Sequence, residues 1–387
     1  MQFCLAAVIL AAMRVLIATA TAGAGHLQAA AAIEEAWNQL RPDDTVERVD
    51  VLSFTSPLYR KAYAEGYLKI SAHLPDLYSF LFQKTDNPAL LKRLTSFRRE
   101  AAQAGAPRFA RYLKDFAPDA VVCTHFLPAE ILGQLRAKSG AAFKMTVATV
   151  VTDFEAHALW MEPGVDLYCV AAEETKARLV ARGLPPGKVI VTGIPVSLRF
   201  SKPIDAQAVR RRLGLRDDLH VLLVLSGGFG VGPVGDVMEA LDRFETPAQV
   251  AVVCGRNEKL RQRLAARDYQ HPTRVFGFVT NMPELMAVTS LIITKPGGLT
   301  ASEALASGKP LCIINPIPGQ EAANSDFLLE HGAAIKVNRI EDLPFKLKQA
   351  MRPEKLAALS KAARELGRPN AALEIVRAVV SQIQSQS

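Results

Sequence analysis

Cysteine is scarce in this sequence, with five residues in 387: Cys4, Cys123, Cys169, Cys254 and Cys312. None falls in a C-x-x-C or C-x-x-H spacing and most lie inside apolar runs. They read as buried thiols in a reducing compartment and offer no zinc site. Asp-x-Asp does not occur, which removes the metal-carboxylate clamp of one large class of nucleotide-sugar enzymes. G-K-[ST] follows none of the glycine loops, which excludes a P-loop NTPase, and without G-x-S-x-G a serine hydrolase has no support. Long apolar runs are equally few. Gln2 to Ala20 is apolar apart from Arg14, but no basic residue precedes it and it runs straight into a glycine loop, as a buried first strand does. No other stretch reaches the ~18 apolar residues of a membrane span. Met13 makes a natural start, which leaves residues 1–12 as an upstream extension.

What is present is a globular composition, 49% apolar and 22% charged, over a length suited to two or three domains of about 150 residues. Short Val/Ile/Leu runs alternate with amphipathic helical segments. The first series of strands is Arg14–Ala20, Glu47–Leu52, Ala120–Cys123, Thr146–Val151, Leu167–Val170 and Val189–Thr192. The second is Val221–Leu225, Gln249–Val253, Thr273–Phe276, Leu291–Ile293 and Pro310–Ile314, with helices such as Leu27–Leu40, Glu173–Arg182 and Thr300–Ala306 between strands. Continuous rather than alternating apolar strands predict parallel sheets covered on both faces. The expected fold class is α/β, two doubly wound domains facing across a cleft, with the division near Pro195–Leu215. The expected boundaries are 13–200, 201–370 and a last helix at 371–387 that is a candidate to cross back to the first domain.

Three glycine loops follow strands and open helices, where free backbone N–H groups and the helix dipole favour an anion. The first, Thr21–His26, fails as a dinucleotide fingerprint because Gln28 stands where glycine or alanine is needed, and it places His26 at the mouth of the first helix. The second runs from Ser226 to Pro233 and includes Gly227, Gly228 and Gly230, a phosphate-facing turn. The third is Lys295–Glu303: Gly297 and Gly298 expose backbone donors, Thr300 and Ser302 bring hydroxyls, and the Glu303 carboxylate suits a pair of vicinal sugar hydroxyls. Beyond it, the rigid loop Asn315–Glu321 points Gln320 and Glu321 past a bound diphosphate. With no metal clamp, helix dipoles and basic side chains must carry the leaving charge, and Arg199 at the domain junction is a candidate.

The net charge of +8 is concentrated rather than spread. Residues 60–114 hold eleven Lys/Arg against four Asp/Glu, Arg98 and Arg99 among them, and five of the seven tyrosines lie between Tyr59 and Tyr112. Tyr59, Tyr63, Tyr67, Ile70 and Leu74 recur at helical spacing up to Pro75. A basic, aromatic, amphipathic segment reads as a surface that lies on anionic lipid, and no nucleic-acid motif accompanies it.

In this order along the chain stand Gly23-x-Gly-His26, Thr152-Asp-Phe-x-x-His157-x-x-Trp160, Gly193-Ile-Pro-Val196, Gly227-Gly-x-Gly-x-Gly-Pro233, Asn281-Met-Pro-Glu-Leu-Met286, Thr294-Lys-Pro-Gly-Gly-Leu-Thr-x-Ser-Glu303, Pro318-Gly-Gln-Glu321 and Gly367-Arg-Pro-Asn-Ala371. Together, from about Arg14 to Ala372, they resemble the monogalactosyldiacylglycerol synthase and processive diacylglycerol glucosyltransferase family. The resemblance implies an inverting, metal-independent GT-B glycosyltransferase with no cofactor beyond its UDP-sugar donor. The donor would be UDP-glucose or UDP-galactose, and the acceptor diacylglycerol or a glycosyldiacylglycerol. It implies that His26, Asp153 and His157 lie near the acceptor hydroxyl, that Glu303 holds the ribose, that Thr300 and Ser302 lie by the phosphates, and that Gln320 and Glu321 contact the hexose. Either histidine has the titration range for a base. Relatives often carry a histidine at the position of Glu162. The implied place is the cytoplasmic side, peripheral on the inner face of the cell membrane. Rival readings are a polyprenyl-linked or other lipid acceptor, a sugar-nucleotide-binding protein without transfer, and a dehydrogenase, against which Gln28 counts.

Overall fold

The structure is a computed structural model that describes residues 12–21, 23–61, 80, 82, 84–86, 106–227 and 232–386. The expected features at residues 1–11, Tyr63, Tyr67, Ile70, Leu74, Arg98, Arg99, Gly228 and Gly230 lie outside the described residues.

Two six-stranded, wholly parallel sheets organise the chain. The first contains β1 (Arg14–Thr19), β2 (Thr45–Asp50), β3 (Ala120–Cys123), β4 (Thr146–Val150), β5 (Leu167–Val170) and β6 (Val189–Val191), in the order β2-β1-β3-β4-β5-β6. The second contains β7 (His220–Leu225), β8 (Ala248–Val253), β9 (Thr273–Phe276), β10 (Leu291–Thr294), β11 (Leu311–Ile314) and β12 (Ala334–Val337), in the order β12-β11-β10-β7-β8-β9. Each sheet is covered on both faces by buried apolar clusters, which is why its strands read as unbroken Val/Ile/Leu runs. β12 was not legible in advance: Ala-Ile-Lys-Val is a four-residue edge strand carrying a charge.

In open α/β sheets ligands bind at the carboxyl ends of strands where the order reverses. In the first sheet that point lies between β1 and β3, registered Val15 to Ala120 through Ala18 to Cys123. In the second it lies between β7 and β10. The glycine loops ending in His26, starting at Ser226 and starting at Lys295 follow β1, β7 and β10, so all three stand at switch points. Helix α1 (Ala24–Leu40) and helix α2 (Gly298–Ala306) both begin earlier than periodicity alone predicts, inside their glycine loops.

The two units touch closely. The chain passes between them at Thr192–Ser201 and again at Gly367–Ala371. There Gly193, at φ 87°, leaves room for the Arg368 side chain, and Gly367 lies against the Leu305 carbonyl. Ile194, Val196 and Phe200 belong to the core of the second unit while Leu198 belongs to the first. Helix α3 (Gln320–Glu330) faces the loop after β4. The last helix, α4 (Ala371–Gln386), buries Ala372, Ile375, Val376 and Val379 in the cluster formed by α1, β1, β3, β4 and β5. Among the described residues no helix is long and apolar enough to cross a membrane.

Candidate active site

Between α1 and the second unit lies a cavity of about 400 Å³. Gly25, Gln28 and Glu35 line it from α1, Ser197 and Arg199 from the crossing, and Gly227 from the end of β7. Phe278 and Thr280 line it from the loop after β9, and Leu299, Thr300 and Glu303 from α2. Glu303 has no side-chain partner among the described residues, and burial pushes its carboxyl up to about 7. A half-buried acceptor with no partner among the described residues is poised for hydroxyl donors on a ligand. Arg199, which lines the cavity, donates through Nη1 to the Thr280 carbonyl at 2.8 Å and through Nε to Ser197 Oγ at 3.4 Å, and it has no acidic partner among the described residues. Gly227 takes φ 71°, the left-handed region that favours glycine.

Ser302 is placed differently from Thr300. Its hydroxyl donates to the Gly298 carbonyl at 2.8 Å and the residue is buried, so it points into its own unit and away from the cavity. Residues 299, 300 and 303 of α2 line the cavity, and Ser302 lies about 160° around the helix from Thr300. Gly297 and Gly298 occupy the start of α2, and a Cβ on Gly298 would overlap the Thr152 carbonyl oxygen of the first unit. Gln320 and Glu321 begin α3 beside this point. Glu321 Oε2 accepts from the Ile317 N–H at 2.7 Å, and a Cβ on Gly297 would lie 3.9 Å from Glu321 Oε1. Burial raises the Glu321 carboxyl, with that hydrogen bond and the Lys295 charge opposing.

Across the cleft, His26 sits in the first turn of α1. Its Nδ1 lies 2.8 Å from the Thr124 carbonyl and 3.1 Å from Thr152 Oγ1. A carbonyl can only accept, so Nδ1 carries the proton and Nε2 keeps its lone pair. The His125 ring stands edge-on to it at 4.7 Å, with Trp160 at 6.3 Å. Burial lowers the His26 pKa to about 4 against the opposing Thr124 bond, so the ring is neutral throughout the physiological range. Asp153, next to Thr152, moves the other way: burial pushes its carboxyl up to about 6, opposed by a hydrogen bond from Asn324.

His157 is built differently from His26. Its Nδ1 accepts from the Leu159 N–H at 3.0 Å, capping a short 3-10 turn, and its Nε2 donates to the Phe82 carbonyl at 2.9 Å. Both nitrogens thus have backbone partners, and Nε2 also lies 3.4 Å from Thr85 Oγ1 and 3.8 Å from Asp86 Oδ1. Tyr59 is half-buried. Its ring packs on the core of the first sheet, and the exposed residues of that turn are Leu58, Arg60 and Lys61.

Two features were missed. Asn324, fully buried, joins the units: its Oδ1 accepts from the Phe154 N–H at 2.8 Å, and its Nδ2 donates to Asp153 Oδ1 at 2.9 Å and to the Pro296 carbonyl at 3.1 Å. Only its lying three residues after Glu321 could have signalled it. The second is the cavity wall Phe278–Pro283. The block beginning at Asn281 was visible, but its role depends on folding against α1 and Arg199.

Two facing parallel-sheet units, with glycine-opened helices converging on one cleft, define the GT-B architecture. Acinetobacter baumannii MurG has this fold with a TM-score of 0.58 at 18% identity, covering 95% of this chain and 99% of that one. A putative UDP-N-acetylglucosamine 2-epimerase from Listeria monocytogenes has it with a TM-score of 0.64 at 15% identity, covering 98% of each chain. Residues 26–196 match the monogalactosyldiacylglycerol (MGDG) synthase model and residues 222–377 the glycosyltransferase family 28 C-terminal domain. Processive diacylglycerol beta-glucosyltransferase of Bacillus cytotoxicus is 31% identical over 379 residues, 97% of this chain and 95% of the relative. That of Bacillus pumilus is 30% identical over 373 residues, 95% of each. The chain belongs to the monogalactosyldiacylglycerol synthase and processive diacylglycerol glucosyltransferase family, and it is a glycosyltransferase.

Proposed function

We propose that the protein transfers glucose or galactose from a UDP-sugar to the free hydroxyl of diacylglycerol or a glycosyldiacylglycerol, with inversion at the anomeric carbon. The observation that carries this reading is the pairing across one cleft. A neutral histidine with a fixed tautomer is held against Thr152, whose carbonyl abuts the glycine-opened start of α2, and the half-buried Glu303 of that helix lines the cavity beside α1. In the reaction the acceptor oxygen bonds to the anomeric carbon as its proton passes to His26 Nε2, and the bond from that carbon to the diphosphate oxygen breaks. The departing charge falls on the start of α2, the backbone at Gly227 and the Arg199 guanidinium. No metal or organic cofactor is called for. The second unit, about 201–370, holds the donor; the first, 13–200, presents the acceptor, with the helix from 371 returning to it.

Peripheral binding at the inner face of the cell membrane, on the cytoplasmic side, completes the reading. Leu58 and Phe80 are large apolar side chains left 80% and 56% exposed, and Arg60, Lys61 and Lys84 stand near them in sequence. This is an apolar-basic pattern suited to anionic lipid. The test is to incubate the protein with diacylglycerol in anionic or neutral vesicles and labelled UDP-glucose or UDP-galactose, then identify the lipid product. A glycosyldiacylglycerol formed faster on anionic vesicles is the expected result. No lipid product with either donor overturns the reading.

Two results follow within this scheme. Glu303→Ala removes a charged acceptor of hydroxyl hydrogen bonds, worth roughly 1.5–3 kcal/mol. UDP binding measured by calorimetry should weaken about ten- to hundredfold. The pH profile separates the two groups near the acceptor. Asp153, raised to about 6, gains its proton as pH falls through that value, whereas His26, lowered to about 4, is still neutral there. Turnover should therefore show an acid limb near pH 6 that disappears in Asp153→Asn. A single limb near 4 in both proteins would remove Asp153 from the chemistry.

A further inference from the structure

The turn containing Phe80, Phe82 and residues 84–86 is pinned to the first unit yet leans on the second. Its anchor is Asp86, whose carboxylate accepts from the Ala158 N–H at 2.8 Å, from Arg182 at 2.6 and 2.7 Å and from Arg178 at 3.2 Å. Its strut is His157, which donates to the Phe82 carbonyl while the two rings lie 4.4 Å apart. The Phe82 ring covers Gly319 of the second unit: a Cβ there would lie 2.9 Å from Phe82 Cγ and 3.0 Å from Cδ1. Gly319 has φ 95° and caps α3 immediately before Gln320 and Glu321. A side chain of the first unit thus sits on the glycine that aims the two residues facing past the diphosphate. The cavity assigned to UDP touches neither Phe82 nor Gly319.

We infer that Phe82 is a positioning residue for the donor hexose: it clamps the Gly319 turn so that Gln320 and Glu321 meet the sugar, without contributing to UDP binding. The inference rests on the UDP-sugar reading above. In glycine's left-handed region the turn has several neighbouring conformations of similar energy, and the aromatic ring on its open face selects one. His157 acts here through Phe82. The hexose would contribute its affinity only when the first unit has closed onto the turn, which ties sugar recognition to closure of the cleft.

Calorimetry without acceptor tests this by comparing Kd for UDP, UDP-glucose and UDP-galactose in wild type, Phe82→Ala and Phe82→Tyr. In wild type the preferred UDP-hexose should bind more tightly than UDP. In Phe82→Ala the UDP-hexose Kd should rise about tenfold, a loss of about 1.4 kcal/mol, while UDP stays within about twofold. Phe82→Tyr, which keeps the ring, should restore the difference. Gly319→Ala approaches the same contact from the other side and should give the same selective loss. Equal weakening of UDP and UDP-hexose, or an unchanged UDP-hexose Kd in Phe82→Ala, overturns the inference. A wild type that binds the hexose no better than UDP also overturns it. A wild type that binds none of the three overturns the donor reading itself and the inference with it.

Discussion

Replacing His26 by alanine lowers turnover about a thousandfold and leaves UDP affinity unchanged, the middle of the range for losing a positioned general base. The separation of the two effects follows from the layout. Gly25 and Gln28 line the UDP cavity, but the imidazole between them in sequence turns instead toward Thr124, Thr152, His125 and Trp160. Alanine is a good helix residue in the first turn of α1, so the variant keeps the loop that frames the cavity. What disappears is an acceptor lone pair whose direction was set by the Thr124 carbonyl. A pKa near 4 makes His26 a weak base in the resting site. Its basicity has to rise as charge develops on the acceptor oxygen, and an ionised Asp153 one residue beyond Thr152 supplies a field of the right sign. The measurement is steady-state transfer to diacylglycerol alongside UDP calorimetry. Full turnover in His26→Ala would take the base role from this residue, and a matching loss of UDP affinity would make its role structural.

The parts of this arrangement that could be read from sequence are those encoded locally. β1, β7 and β10 announce themselves as buried parallel strands because both faces are covered, and each is followed by glycines that no ordinary helix start needs. Glu303 and Thr300 follow from the same loop. What was hidden depends on phase or on partners far along the chain. Ser302 and Thr300 are equivalent as hydroxyls, and only the rotation of α2 against the first unit separates them. That His157 Nε2 meets the carbonyl of Phe82, seventy-five positions earlier, cannot be read from its neighbours in sequence. Asn324 lies between alanine and serine with nothing polar to match it locally, because its three partners come from Asp153, Phe154 and Pro296. The lysine in β12 masked an edge strand that the sheet tolerates because only one of its sides is paired.

Two adjacent glycines should answer oppositely to alanine, and the contrast tests whether transfer needs the units in this contact. Gly297 has φ −62° and ψ 139°, a conformation open to any residue, and its added Cβ meets Glu321 Oε1 at an ordinary 3.9 Å. Gly297→Ala should keep turnover within about tenfold, a change of about 1.4 kcal/mol. Gly298 is the first residue of α2, where alanine is favoured over glycine by about 1 kcal/mol within the helix itself. Helix propensity alone therefore favours Gly298→Ala, and any loss in the variant comes from its contact across the cleft. Its Cβ, however, would overlap the Thr152 carbonyl oxygen and stand 3.1 Å from Asp153 Oδ1. A backbone carbonyl in the loop just after β4 cannot rotate away as a side chain can, so relief requires the start of α2 to withdraw from the loop carrying Thr152 and Asp153. That movement stretches the Asn324 bonds and separates His26 from the helix terminus that receives the diphosphate. A displacement of about 1 Å between reacting groups costs on the order of a hundredfold, and turnover in Gly298→Ala should fall at least that far. Wild-type turnover in Gly298→Ala would mean that the chemistry does not need the contact between Thr152 and the start of α2.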